Sequence, residues 1–352
     1  MWESHASARM GRLDRSDTGV RPSSQKTGVK QPQRCVSPSI PAAVDPVITK
    51  LNPEGLRYGY IRDDEGIPHL VDSWIKASDL RNMARYNPDV DNEYHLYTRS
   101  NPLVSQPIVQ GNTALLAASN FDPNKRTIIL IHGFLGNILS GFNTVLVPAF
   151  ILAGDVNVIV VDWGKGAHLG FNGISSGRSV GRFINWLNQA SGANVENYHI
   201  LGYSVGAHQA GIVGRSLLGR PSYLTAMDPA DRWLSSQAVR ADDAVYTEII
   251  HTNIGNIGQE EPAGDVDFYP NGGINMPGCS TAVCDHYRSY FYMGESLATG
   301  GFTGIQCASV EEAKAGSCSG PATLRMGGLQ PKTGSKGIYY VPTNGSPPFS
   351  QG

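Results

Sequence analysis

Five short apolar runs, RTIILIHG, VNVIVVDW, NYHILGYS, SYLTAMDP and AVYTEIIHT, are rich in β-branched residues, and each stops at a turn or a polar residue. A strand that is apolar on both faces must be covered on both faces, which is the situation of a parallel sheet flanked by helices. Between these runs lie longer stretches with a helical pattern, such as GRSVGRFINWLNQAS and GAHQAGIVGRSLL. The alternation predicts an α/β fold with a mainly parallel central sheet and helices on both faces. No repeat of fixed period and no Pro/Gly linker sets off a second folded domain, so a single domain over residues 46–352 is expected. Residues 1–45 are polar, mildly basic and rich in Pro and Ser, and they read as disordered.

With 40 % hydrophobic and 16 % charged residues the chain can bury a large core. Its formal net charge is -2, and no block of Lys and Arg interleaves with aromatics, which argues against a nucleic-acid partner. Of the five cysteines, Cys35 stands alone, while Cys279, Cys284, Cys307 and Cys318 are crowded together. That placement suggests two local disulfides, Cys279 with Cys284 and Cys307 with Cys318, plus a spare thiol, and hence an oxidising compartment. The competing reading is a four-cysteine zinc site, whose usual two-residue knuckles these spacings do not resemble. The first residues contain no apolar run of the length that a secretory signal needs, so the two indications disagree; a misassigned or altered start would reconcile them. No segment reaches membrane-spanning length. The best candidate, TVLVPAFILA, is short and contains Pro148.

The stretch YHILGYSVGAHQAG contains G-x-S-x-G between a strand pattern and a helix rich in small residues. This is the strand-turn-helix setting in which Ser204 sits on a strained bend with its hydroxyl above the sheet. Gly202 and Gly206 let strand and helix pass closely, and the backbone NH of Val205 points to where an oxyanion would form. A serine hydroxyl needs a base within hydrogen-bond reach, and a carboxylate to hold that base in the right tautomer. In such a fold the partners follow in the order serine, acid, histidine. Asp228, in LTAMDPA, ends the next predicted strand and is the expected acid. Only His251 and His286 remain downstream. His251 lies in a strand-like segment and reads as a satisfied structural residue. His286, two residues beyond Cys284, is expected in a loop made rigid by the short disulfide and is the preferred base. His208 reads as support for packing. The second oxyanion donor is expected from the loop after IILIHG, at the NH of Phe134. Because the base must be neutral to act, activity is expected to rise as pH passes roughly 6 to 7.

The motifs YHLYTRSNP, IHGF, NVIVVDW, LGYSVGAHQAG, AMDPA, DDAVYTEIIHT, DVDFYPNGG, MPGC, CDHYRSYFYMGESL and GIYYVPTNGSPPF, in this order from Tyr94 to Gly352, resemble the pancreatic-lipase family of secreted lipases. That family includes phospholipases A1, insect neutral lipases and catalytically inactive egg-yolk proteins. The resemblance implies an α/β-hydrolase fold, with the nucleophile on Ser204, the acid on Asp228, the base on His286, and the oxyanion donors on Phe134 and Val205. It further implies an extracellular hydrolase of lipid carboxylic esters, working without a cofactor at a membrane or lipid-droplet surface. The family's lid lies between the cysteines that match Cys279 and Cys284. Only STAV separates them here, so a nearly absent lid and an accessible serine are implied, with activity of the phospholipase A1 or triacylglycerol lipase type, short lids in the family going more with the former. A non-catalytic lipid-binding or storage protein and an esterase for small soluble esters are the alternatives. The second loop over the site carries Gln259, Glu260, Glu261 and Asp265, acidic where relatives are more apolar, which should weaken docking on anionic or strongly apolar surfaces unless it is simply a solvated charge run. Without the C-terminal β-sandwich of the larger vertebrate lipases, no colipase-like partner is expected. Gln237 stands where a carboxylate would help bind calcium, so no metal is expected. The sequon Asn344-Gly345-Ser346 adds weakly to secretion.

Overall fold

The structure, a computed structural model, describes residues 58–62, 68–72, 85–231 and 233–352. The chain divides into Met1–Pro46 and Val47–Gly352, and every described residue belongs to the second unit. The segment 1–45, read as disordered, and the thiol Cys35 lie outside the described residues.

In chain order, β1 (Tyr58–Arg62) and β2 (Pro68–Asp72) form an antiparallel hairpin. After α1 (Pro88–Asp91) come β3 (Glu93–Tyr97), β4 (Gln106–Pro107) and α2 (Thr113–Ala117). The central elements are β5 (Thr127–Ile131), α3 (Gly141–Ala153), β6 (Asn157–Asp162), α4 (Asn172–Ser191), β7 (Tyr198–Tyr203), α5 (Val205–Ser216), β8 (Tyr223–Met227) and β9 (Tyr246–Ile250). They are followed by β10 (Val266–Pro270), α6 (Ala282–Thr299), β11 (Thr303–Cys307), α7 (Val310–Ala315), β12 (Thr323–Arg325) and β13 (Gly337–Val341).

All strands from β3 onward join one 11-stranded sheet in the order β12-β11-β13-β10-β9-β8-β7-β5-β6-β3-β4. From β13 to β6 every neighbouring pair is parallel, and the antiparallel strands lie at the two edges. All five apolar runs are strands of this parallel block, and each is buried along its length apart from the terminal Asp162. The two faces divide the side chains by parity, as the strand period requires. Ile128, Leu130, Val158, Val160, Leu201 and Tyr203 meet α3 and α6 on one face. Ile129, Ile131, Ile159, Val161, Ile200 and Leu224 meet α4 and α5 on the other. Each such apolar side chain taken fully from water contributes roughly 1.5–3 kcal/mol, so burial on both faces holds the sheet between the helix layers. TVLVPAFILA falls in α3, whose Phe142, Leu146, Val147 and Phe150 pack into the first core with Pro148 inside the helix. Among the described residues no helix is long and apolar enough to cross a membrane. The pairs Cys279–Cys284 and Cys307–Cys318 are disulfides, as expected.

Candidate active site

Neighbouring parallel strands end on the same edge of a sheet, and ligand sites in open α/β sheets form beyond that carboxyl edge. Here Phe134 follows β5, Ser204 follows β7 and Asp228 follows β8, and these strands are adjacent. Ser204 is the residue before α5, with φ 57° and ψ -121°, a conformation that costs a side-chain-bearing residue on the order of 1–3 kcal/mol. Four described non-glycine residues have positive φ, Leu135, Ser204, Asp228 and Asn271, and all four follow strands of the parallel block at this edge. The bend at Ser204 is held by its neighbours: the Ser204 NH donates to Met227 O at 2.9 Å, and the Ala230 NH donates to Ser204 O at 3.3 Å.

Close backbone approach explains the glycines of the motif. A Cβ on Gly206 would stand 2.2 Å from Ile131 O, and one on Gly202 would stand 2.1 Å from Gly206 O. Neither distance is tolerable, so only glycine lets the start of α5 lie against the end of β5. Gly133 is less tight but still close, its Cβ position being 3.1 Å from the Cβ of Ser204. This brings the loop that carries Phe134 beside the serine. Val205 opens α5 and so has no intrahelical acceptor for its NH. The neighbouring loop is braced by the two motifs before and after it: the Trp163 indole NH donates to His132 O at 2.9 Å, and the Trp163 backbone NH donates to His132 Nε2 at 3.2 Å. The NHs of Ile138 and Gly164 both donate to Asp162.

His286 Nδ1 donates to Asp228 Oδ2 across 2.5 Å, both groups being buried. The other oxygen, Oδ1, accepts the NHs of Thr252 at 2.7 Å and Asn253 at 3.0 Å. The ring of His286 packs on Tyr203, with centroids 4.6 Å apart, and Tyr203 immediately precedes Ser204. His286 was expected in a loop; it is instead the fifth residue of α6. Thr281 caps that helix by accepting the Cys284 NH, and the Cys279–Cys284 disulfide closes just ahead of it, so the rigidity expected of a loop is supplied by a helix start. The next residue back, Asp285, is buried and accepts the Met276 NH at 2.6 Å. Burial, with the charge of Asp228 adding to it, raises its carboxyl above the ordinary range against the pull of that hydrogen bond.

Other readings are refined. His251 is buried just beyond β9, and both ring nitrogens are bonded, Nδ1 to Gln259 O and Nε2 to Asp267 Oδ1, each at 2.9 Å. His208 donates from Nε2 to Ala230 O at 2.8 Å and accepts the Val239 NH on Nδ1. It is stacked on Trp233, so it ties α5 to the chain beyond Asp228. Ser204 as a whole residue retains 7 % exposure. In the acidic loop Glu260 pairs with Lys314 at 2.7 Å and Asp265 accepts the Thr247 NH at 3.0 Å, which leaves Glu261 exposed. The Asn344 amide donates to Pro348 O and Ser350 O. Sequence reasoning missed the NH pair of Thr252 and Asn253 and the packing of Tyr203 on His286. The motif EIIHT adjoining a predicted acid was the available signal for the first.

The Lipase family profile matches residues 71–349, beginning ahead of Tyr94 and ending within the last turns of the chain. The chain belongs to the Lipase family. Its curated relatives are of the pancreatic-lipase type. It is 35 % identical over 246 residues to pancreatic lipase-related protein 2 of Cavia porcellus, covering 65 % of this chain and 57 % of that protein. It is 32 % identical over 266 residues to pancreatic triacylglycerol lipase of Homo sapiens, again 65 % and 57 %. Against pancreatic lipase-related protein 2 of Sus scrofa it is 32 % identical over 308 residues, 75 % and 65 %. The chain thus spans between about half and two thirds of the length of these relatives. Membership in the Lipase family accords with the parallel sheet and its two helix layers, and the fold is that of an α/β-hydrolase.

Proposed function

We propose that this protein hydrolyses carboxylic esters of lipids through an acyl-enzyme. The observation that carries the reading is the buried 2.5 Å contact between His286 Nδ1 and Asp228 Oδ2, with the imidazole packed on the residue before a strained Ser204. The carboxylate fixes the tautomer, so that Nε2 is the nitrogen free to take a proton. His286 then accepts the Ser204 hydroxyl proton as Oγ attacks the ester carbonyl. The NHs of Phe134 and Val205 receive the oxyanion, and the protonated imidazole gives its proton to the leaving alcohol. Water activated by the same ring releases the fatty acid and regenerates the serine. No cofactor takes part in this scheme.

Within that class we favour a phospholipase A1. Four residues between Cys279 and Cys284 are too few for an apolar flap, and a site without a flap has less need of a neutral lipid phase to uncover it. The same shortness supports a second reading, hydrolysis of small soluble esters. The site would be used at a membrane or lipid-droplet surface, and the disulfides accord with an extracellular setting.

Purified protein and its Ser204→Ala variant, assayed on short-chain nitrophenyl esters, phosphatidylcholine and triolein, test this directly. The expected result is turnover of phosphatidylcholine at the sn-1 ester, reduced by several orders of magnitude in the variant. Equal rates for the two proteins would sink the enzymatic reading, and turnover confined to nitrophenyl esters would replace the lipid by a small ester.

A further inference from the structure

A second buried histidine–carboxylate pair stands behind the first. His251 follows the last residue of β9, and its ring lies between Asp267 Oδ1 on β10 and Gln259 O, 2.9 Å from each. Both partners are acceptors, and one faces each ring nitrogen. Asp267 is otherwise filled by NHs, from Ala263 to Oδ1 at 3.0 Å and from Gly264 to Oδ2 at 3.1 Å. The flat face of the ring lies on Tyr269, with centroids 4.3 Å apart, and the Tyr269 hydroxyl donates to Glu260 O at 2.8 Å. No part of this group touches the reacting atoms of the proposed mechanism.

What it touches is the loop that holds Asp228. Thr252 and Asn253, the two residues after His251, supply both NHs to Asp228 Oδ1. From there the loop runs over the carboxylate. Gly258 packs on it, the Gly258 NH donates to Asn253 O at 3.0 Å, and the Gln259 NH donates to Pro229 O at 2.7 Å. His251 grips this loop at both ends: its own backbone NH donates to Phe268 O at 2.8 Å, and its ring holds Gln259 O. Releasing the ring would leave the Gln259 backbone held by its NH bond to Pro229 O alone and so loosen the cover over the two NHs and the Asp228 carboxylate.

We infer that His251, anchored by Asp267, is a positioning residue for ester hydrolysis: it clamps residues 252–259 so that Asp228 stays aimed at His286. This rests on the assignment of Ser204, Asp228 and His286 made above. A histidine kept only for the stability of the sheet would lack that link to the chemistry, and the two roles separate in kinetics. Positioning of the acid is felt in the proton-transfer step, hence in kcat, whereas the acyl group is bound elsewhere and KM is spared.

The test is to prepare His251→Gln and Asp267→Asn and count active sites with a fluorophosphonate, so that rates refer to folded, competent protein. We expect kcat for a nitrophenyl ester to fall about tenfold or more in each, with KM within about twofold, and the double variant to be no worse than the worse single one. The acid limb of kcat/KM should move to lower pH, because a less firmly held carboxylate stabilises the imidazolium of His286 less. The far-downfield proton resonance of the His286–Asp228 bond should shift upfield or vanish. If His251→Gln does not fold, Asp267→Asn, which keeps the size and an acceptor, decides on the same readouts. A lowered melting temperature with kcat per titrated site, the acid limb and the resonance all unchanged would overturn the inference while leaving the mechanism standing. A wild-type protein inert to both ester and fluorophosphonate would overturn the assignment of the site, and this inference with it.

Discussion

Gly258 lies so close to Asp228 that a Cβ on it would stand 2.4 Å from Oδ1 and 2.7 Å from Oδ2 of the carboxylate. The position is buried, and the obstacle is an atom whose aim matters, so the smallest possible side chain is enough to disturb it. Gly258→Ala is expected to lower kcat of the proposed hydrolysis by about 10² while leaving the far-ultraviolet circular dichroism unchanged, since a displacement of the order of 1 Å carries a penalty of that size. The measurement is kcat per fluorophosphonate-titrated site. An unchanged value would show that Asp228 tolerates the push and that its aim is not critical.

The relation between Gly258 and Asp228 also shows where sequence reading stops. Ile128 to Ile131 and Val158 to Val161 are legible as strands because burial on both faces leaves a continuous apolar run, and local composition alone reports it. Ser204 is legible because the close backbone approach around its bend demands glycines at fixed offsets on either side. His286 could be chosen by elimination, but its helix could not be foreseen: the start of α6 depends on the Thr281 cap, and the helix is seated by the packing of Tyr290 against Tyr203 on the face it covers. Gly258 carries no local signal, since what forbids a side chain there is a carboxylate thirty residues earlier in the chain. Contacts of that kind are made by the tertiary fold, and a single sequence does not record them.

Midway along the central strand β9, Glu248 is buried and accepts three donors: Lys332 Nζ, the Gly327 NH at 2.7 Å and the Tyr246 hydroxyl at 2.9 Å. Lys332 also donates to Gly327 O at 2.7 Å and to the Tyr223 hydroxyl at 3.2 Å. Removing the cation leaves an uncompensated buried carboxylate, so Lys332→Met should cost about 3–5 kcal/mol in urea unfolding. Adding Glu248→Gln should recover part of that loss, because the stranded charge is then gone. A double variant as unstable as the sum of its singles would show that the two groups act independently.

The two disulfides should separate stability from activity. Cys279–Cys284 closes a five-residue separation and Cys307–Cys318 one of eleven, for which chain entropy allows about 2 and about 3 kcal/mol respectively. By that measure the second is the greater loss to the fold. The first, however, ends in the opening turn of α6, two residues before His286. Replacing Cys279 and Cys284 by serine should therefore lower kcat about tenfold or more, while the same change at Cys307 and Cys318 lowers the melting temperature further and spares kcat. Paired measurements of thermal unfolding and of turnover per titrated site check both halves of the expectation.

Acid should act on the fold through His208. Burial depresses this imidazole from 6.5 to about 4; the hydrogen bond to Ala230 O opposes the shift, and the charge of Arg215 reinforces it. The folded value lies below the unfolded one, so the unfolded chain binds the extra proton first. Stability from this group is complete above about pH 6.5 and is lost as pH falls towards about 4, by about 3 kcal/mol at most. His199, fully buried against Tyr223 and depressed by burial in the same direction, adds to the slope. Urea unfolding free energies at pH 7 and pH 4.5 should therefore differ more in the wild type than in His208→Gln, which keeps a donor for Ala230 O but cannot take up the proton. The comparison isolates His208 because His199 is present in both proteins. Equal pH slopes would mean that the ring takes up its proton without leaving its place on Trp233, and that the tie between α5 and the chain after Asp228 survives in acid.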